Sequence, residues 1–115
     1  MKNLVKVFKA LGDGNRIRIL KMLQDQPMTV GDLTSVLGIA QPCVSRHLHQ
    51  LKEAGLVVDE RRALWTTYRL ATAAANQYVP VLLRHIHRWA NQDSKVSQDQ
   101  RTARRVERRA ANKRA

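Results

Sequence analysis

Apolar residues in the first half of the chain recur at intervals of three and four positions, the period of an α-helix with one buried face. This pattern predicts four helices before residue 56. Asp13 and Thr29 are suited to cap the second and third helices, and Gly12, Gly38 and Gly55 mark helix ends. The apolar positions, helix by helix, are Leu4, Val7, Phe8 and Leu11; Ile17, Ile19, Leu20 and Leu23; Val30, Leu33, Val36 and Leu37; and Val44, Leu48 and Leu51.

Two short segments after Gly55 have the composition of strands, and a long amphipathic segment follows them. Leu56–Asp59 and Leu64–Leu70 are rich in β-branched and aromatic residues, and residues 60–63 form the expected hairpin tip. A fifth helix is expected from about Thr72 to Asp93. Its apolar face comprises Val79, Leu82, Leu83, Ile86, Trp89 and Ala90.

This order predicts a mainly α fold with a small β-hairpin, in the order ααααββα. The third helix, a very short link at Gly38–Ala40 and the fourth helix have the spacing of a helix-turn-helix. A hairpin directly after the second of these helices corresponds to a wing. We therefore expect one winged helix-turn-helix domain over residues 1–93 that reads duplex DNA.

The fourth helix must leave one face outside the core if it is to enter a major groove. Gln41 can pair with adenine through two hydrogen bonds, and Arg46 can contact guanine or a phosphate. Arg61 and Arg62 in the hairpin are expected to meet the backbone or a minor groove. Arg16, Arg18 and Lys52 are further phosphate candidates. The predicted DNA-binding residues are Gln41, Pro42, Ser45, Arg46, His49, Arg61 and Arg62.

Charge supports a polyanionic partner. The 115 residues carry a formal net charge of +12, which suits nucleic acid better than other partners. Half of this excess lies in residues 94–115, a stretch that offers almost nothing apolar to bury and that we expect to be a disordered basic tail. Such a tail either solubilises the chain or attracts phosphates without sequence preference.

Other classes of function find little support. No run of about 18 apolar residues occurs, and no apolar signal-peptide core follows the N-terminus, so we expect a cytoplasmic protein with no membrane partner. No phosphate-binding loop, nucleophile elbow or paired carboxylates are present. We therefore expect no enzyme, no catalytic residue and no cofactor.

Two sequence blocks resemble one family of bacterial repressors. Leu-Gly-Asp-Gly-Asn-Arg-Ile-Arg-Ile-Leu at 11–20 resembles the start of the second helix in the ArsR/SmtB family, and residues 41–57 resemble that family's recognition helix. Residues 65–70 are similar to its second wing strand. The similarity runs from about Val5 to Leu70 without a gap.

The resemblance implies a homodimer that represses transcription from an imperfect palindrome. We expect the first and last helices to form the dimer interface, with Leu4, Phe8, Leu82, Ile86 and Trp89 in the seam. Many members of this family release DNA when a metal ion or a thiol oxidant binds, and the inducer of this chain is not evident from its sequence.

The residues of known family sensors are largely missing. Arsenic-responsive members carry two thiols at the start of the third helix, where this chain has Thr29 and Gly31. His85 and His87 are weak metal candidates, because residues two apart point about 200° away from each other on a helix. Cys43, the only cysteine, is either a redox switch or a small residue filling its site. The alternatives are thus a metal- or redox-responsive regulator, or a basic RNA-binding or architectural protein.

Overall fold

A computed structural model describes residues 1–72 and 77–114. Residues 73–76, which the predicted fifth helix includes, and residue 115 lie outside the described residues. The elements are α1 (Lys2–Leu11), α2 (Gly14–Leu23), β1 (Met28–Thr29), α3 (Val30–Leu37), α4 (Gln41–Glu53), β2 (Val57–Arg62), β3 (Trp65–Leu70), α5 (Val79–Arg88) and α6 (Ser94–Arg114).

The predicted helix boundaries in the first half of the chain are confirmed by their capping contacts. The Asp13 carboxylate accepts hydrogen bonds from the backbone N–H groups of Asn15 and Arg16, at 2.8 and 3.1 Å. Thr29 Oγ1 accepts from the Asp32 N–H at 3.1 Å. Gly38 ends α3 with a φ of 68°, which glycine adopts without the steric cost that a Cβ would bring.

The core lies where α1, α2, α3 and α4 meet the sheet. Each of these helices has at least one completely buried side chain, so each predicted apolar face contributes to the core. Phe8 on the predicted face of α1 differs, since it is 56% exposed. The fully buried residues at its centre include Val7, Ile19, Leu20, Met22, Leu33, Val44, Leu48, Leu51 and Leu56.

The sheet has three antiparallel strands in the order β1-β3-β2. Strand β1 was not predicted, since two residues are too few to show a period. The hairpin tip also differs from the prediction of residues 60–63. Arg62 pairs with Trp65 at the end of the ladder, and Ala63, with a φ of 51°, begins the turn. Arg61 and Arg62 therefore lie at the end of β2, just before the turn.

Helix α5 is shorter than predicted. It begins at Val79, next to Pro80 in its first turn, and ends at Arg88. Trp89 has an extended backbone and Ala90 a φ of 62°, so the chain changes direction there. Ile86 is only 5% exposed in the single chain, which corrects its assignment to the dimer seam: its side chain belongs to the core.

Residues 94–114 form helix α6, and this corrects the expectation of a disordered tail. The helix packs on α2 and α3. Val96, Asp99 and Ala103 are buried on its inner face. Small apolar residues and one paired carboxylate thus form the contact of α6 with α2 and α3. The segment lacks large apolar residues, so its sequence does not indicate this contact. No helix in the described part of the chain is both long and apolar enough to cross a membrane.

Candidate nucleic-acid interface

Helix α4 turns one face to the core and leaves the other in solvent. Val44, Leu48 and Leu51 are completely buried, which fixes the rotation of the helix about its axis. The structure therefore brings the predicted contacts of this helix together on one accessible face that begins at its N-terminus. The exposed residues of that face are Gln41, Pro42, Ser45, Arg46 and His49.

Two contacts along α4 orient side chains of this face. Arg46 Nη2 donates to Cys43 Sγ at 3.2 Å, one turn back toward the helix N-terminus. His49 Nε2 lies 3.9 Å from Glu53 Oε1, and both side chains are largely exposed. Because neither contact is buried, a partner that offers better acceptors can displace it at little cost.

The wing is attached to α4 by a charged pair. Lys52 Nζ lies 3.0 Å from Asp59 Oδ1, which joins the last turn of α4 to β2. The hydrogen bond to Asp59 raises the pKa of Lys52, so this amine stays charged while it is paired. Sequence reasoning took Lys52 only as a phosphate candidate and missed this link, because the spacing of seven residues does not show that the chain reverses direction.

The two wing arginines are both exposed, but they differ in their neighbours. Arg62 Nη2 lies 2.7 Å from Glu60 Oε1, and this hydrogen bond with Arg62 lowers the pKa of Glu60. Arg61 has no ion pair within the described residues. Leu64, which is 88% exposed, follows them in the turn. The tip of the wing therefore presents two cations and one solvent-exposed apolar side chain.

Two of the further phosphate candidates are used inside the protein. Arg16 Nε donates to Ala10 O at 2.7 Å and Nη2 to Lys9 O at 3.2 Å, so Arg16 caps the C-terminus of α1. Its Nη1 also lies 3.3 Å from His47 Nδ1. Arg18 forms an ion pair with Asp99. Neither guanidinium is thus free for DNA, which the charge pattern alone could not reveal.

Comparison with known proteins agrees with this geometry. Residues 13–58 match the family described as "Bacterial regulatory protein, arsR family". The transcriptional repressor SdpR of Bacillus subtilis is 34% identical over 85 residues, which cover 74% of this chain and 94% of that protein. The chain belongs to the arsR family of bacterial regulatory proteins.

A second relative and a solved structure of another protein are also similar to this arsR-family chain. The arsenic resistance transcriptional regulator ArsR1 of Pseudomonas putida is 40% identical over 81 residues, 70% of this chain and 62% of that protein. The chain thus spans about three fifths of the length of that relative. Among solved structures, reduced HlyU of Vibrio cholerae matches with a TM-score of 0.65 and 32% identity, over 79% of this chain and 92% of that chain.

A second solved structure has a stated assembly. The domain Mb0332 of Mycobacterium bovis, described as a homodimeric winged helix-turn-helix DNA-binding domain, matches with a TM-score of 0.65 and 27% identity. The match covers 79% of this chain and 81% of that chain. The winged helix-turn-helix fold predicted from the sequence is therefore confirmed.

Three of the five residues predicted for a dimer seam, Leu4, Phe8 and Leu82, line an apolar groove between α1 and α5. Its volume is about 350 Å³. Phe8 is 56% exposed and Val81 44% exposed, so the groove walls are open in the single chain. Trp89, also 56% exposed, lies outside the groove and stacks on His85 with 5.3 Å between ring centroids. The groove is lined by Leu4, Phe8, Gln77, Tyr78, Val81 and Leu82.

The candidate sensor residues of this arsR-family chain are scattered. Cys43 is half-buried at the start of α4, and His85 and His87 are exposed near the end of α5. In the part of the chain that the structure describes, no three His, Cys, Asp or Glu side chains come close enough to hold a metal ion together.

Proposed function

We propose that this chain is a homodimeric transcriptional repressor that binds an imperfect palindrome in duplex DNA. The observation that carries the proposal is the accessible face of α4 with Gln41, Ser45 and Arg46, beside a wing that exposes Arg61 and Arg62. A helix fits the major groove, and short polar side chains near its N-terminus approach the base edges. We assign base contacts to Gln41 and Arg46, and phosphate or minor-groove contacts to the wing arginines.

A dimer is needed to read a palindrome, and the groove between α1 and α5 supports one. Phe8 and Val81 expose apolar surface there, and burying it against a second copy is favourable because apolar surface leaves water. To read two half-sites, the dimer must hold its two α4 helices in successive major grooves, about 10 base pairs apart, and we propose that the two-fold axis lies at this groove. The M. bovis domain, described as homodimeric, supports a dimer but does not say which surface forms it.

Repression rather than activation is proposed from the relatives. The B. subtilis relative is named a repressor, as is the arsenical resistance operon repressor of Escherichia coli, which is 38% identical over 68 residues. The V. cholerae relative HlyU is named an activator. A bound dimer that occupies about 20 base pairs of a promoter needs no further contact to exclude polymerase, so repression is the simpler consequence of binding.

Selection of bound fragments from a genomic library tests this function. We expect enriched duplexes that share an imperfect palindrome, bound by two copies of the chain in sedimentation, and a promoter fusion that becomes more active when the protein is absent. Enrichment of RNA over duplex DNA would instead favour an RNA-binding protein. Enrichment of duplexes without a shared sequence would favour an architectural one, and either result would contradict the proposal.

A further inference from the structure

We propose that α6 carries a second DNA-contacting surface, which binds the phosphate backbone outside the two half-sites. This surface, here called the arginine stripe, consists of Arg101, Arg104, Arg105 and Arg108. The inference rests on the proposed function, since it needs a chain already bound at an operator. It adds a contact that the helix-turn-helix and the wing do not provide.

The arginine stripe lies opposite the packed face of the helix. Val96, Asp99 and Ala103 are 4%, 5% and 2% exposed, and they define the side of α6 that contacts α2 and α3. At about 100° per residue, positions 101, 104, 105 and 108 fall within a sector of about 100° on the other side. All four stripe arginines are exposed.

Several contacts hold α6 in place, so the stripe has a fixed position on the molecule. Arg18 of α2 and Asp99 form two hydrogen bonds, at 2.7 and 3.0 Å. Gln100 Nε2 donates to Lys21 O at 3.2 Å, and Gln26 Nε2 donates to Ala103 O at 3.3 Å. A rigid row of cations loses less entropy on binding a regular array of phosphates than a flexible tail would.

The charge of the stripe is not neutralised within the protein. Like charges three and four residues apart on a helix repel each other, and the stripe contains four such pairs. Within the described residues no stripe arginine forms an ion pair. Glu107, which directly precedes Arg108, is half-buried and its Oε2 makes no hydrogen bond there, and Asp99 is already paired with Arg18. Four clustered cations that destabilise their own helix indicate an anionic partner, because phosphates would remove the repulsion.

The position of α6 favours DNA at the outer edge of the site. Arg109 and Val106, in the second half of the helix, line a hollow of about 400 Å³ with Trp65 of β3 and Ser35 of α3. The first helix of a helix-turn-helix crosses the DNA backbone, and Trp65 follows the wing turn. Helix α6 thus runs beside α3 and the start of β3, and we infer that phosphates flanking the half-sites pass its arginine stripe.

The test compares two variants with equal loss of charge on operator duplexes of two lengths. The stripe variant is Arg101→Gln, Arg104→Gln, Arg108→Gln. The control variant is Lys2→Gln, Lys6→Gln, Lys9→Gln, which removes three exposed cations at similar spacing from α1. Glutamine keeps a good helix propensity, and circular dichroism confirms that α6 is retained. Affinity is measured against salt on duplexes of about 20 and about 40 base pairs.

We expect the stripe variant to bind the short duplex like the wild type and the long duplex about tenfold more weakly at low salt. On the long duplex the slope of log K against log salt should become shallower by about 0.9 for each phosphate that the variant no longer neutralises. An unchanged slope on the long duplex, or an equal loss of affinity on both lengths or in the control, would overturn the inference. If the wild type binds no operator, the proposed function fails instead.

Discussion

Arg18 in α2 and Asp99 in α6 form a doubly hydrogen-bonded ion pair across 81 positions of sequence, with Nε–Oδ2 at 2.7 Å and Nη2–Oδ1 at 3.0 Å. Only 15% of the Arg18 side chain and 7% of the Asp99 side chain are exposed. The hydrogen bond with Asp99 raises the pKa of Arg18, as expected for a guanidinium that keeps its charge in a paired site. This pair fixes the last helix on the winged domain.

Removing Asp99 should therefore destabilise the protein and loosen α6. Asp99→Ala leaves the Arg18 guanidinium buried without its carboxylate, which costs about 3 kcal/mol for pairs of this kind. We expect a lower urea midpoint and earlier proteolysis in residues 94–114. The double variant Arg18→Met, Asp99→Leu should regain most of the stability, because an apolar pair needs no partner charge. A midpoint for Asp99→Ala equal to that of the wild type would show that the pair does not hold α6.

The buried amine of Lys21 joins α2 to the end of α5. Its Nζ donates to Ile86 O at 2.9 Å, to His87 O at 3.2 Å and to Asn91 Oδ1 at 2.7 Å, which closes the C-terminus of α5. Lys21→Met should cost about 1–3 kcal/mol, since it removes all three hydrogen bonds of a buried amine and leaves Asn91 Oδ1 without this donor. Urea unfolding measures this cost, and an unchanged stability would contradict the role in closing α5.

The pH dependence of the same variant follows from linkage. Burial lowers the pKa of Lys21, so the unfolded chain holds more protons at this site than the folded one between the lowered pKa and about 10.4. The unfolding free energy of the wild type, relative to Lys21→Met, should therefore rise as the pH rises through that window. If this difference in unfolding free energy instead fell as the pH rose through the window, the lowered pKa of Lys21 would be contradicted.

Asp13 should stabilise α2 most strongly above about pH 4. Partial burial acts to raise the pKa of this carboxyl, but hydrogen bonds from the backbone of Arg16 and Asn15 and the nearby charges of His47 and Arg16 lower it overall. A lowered pKa means that the stabilisation is full above the unfolded value of about 3.9 and is lost as the pH falls through the folded value.

Two substitutions at Asp13 separate the cap from its charge. Asp13→Ala should cost about 1 kcal/mol at neutral pH. Asp13→Asn keeps a capping oxygen and should cost less, and its stability relative to the wild type should improve in acid. Urea midpoints of both variants and the wild type at pH 7 and pH 3 provide the measurement. If both variants lost the same stability at both pH values, the charged cap at Asp13 would be refuted.

Phe8 should control assembly. It is 56% exposed on the apolar groove between α1 and α5, so a charge there would oppose burial against a second copy. We expect Phe8→Glu to sediment as a folded monomer at concentrations where the wild type is a dimer. Lys6→Glu, on the exposed side of the same helix, is the control for charge and should remain dimeric. A dimeric Phe8→Glu would place the interface elsewhere.

The sequence predicted the winged domain well because its signals are local. Asp13 and Thr29 mark the first residues of helices, and Gly38 marks the end of one, through contacts within three or four residues. Val44, Leu48 and Leu51 show by spacing alone which face of α4 is buried. The accessible face of α4, which we propose reads DNA, consists of the positions that these three buried residues leave exposed.

The last quarter of the chain could not be predicted in the same way. Its helix is fixed by Asp99, a residue that looks solvated until Arg18 is known to lie opposite. The end of α5 is set by Lys21, which binds its last carbonyl oxygens from 65 and 66 positions away. Contacts of this range leave no periodic pattern, so the sequence indicated a longer α5 and a disordered tail.

The most direct test of the central claim is an operator titration with Arg46→Ala, using Arg84→Ala as the matched control on the exposed part of α5. If Arg46 reads a base edge, its removal should weaken specific binding by about 1–3 kcal/mol and relax the preference at one position of each half-site. Arg84→Ala should leave both quantities unchanged. Specific affinity and sequence preference that are equal in Arg46→Ala and the wild type would contradict the assignment of the reading face to α4.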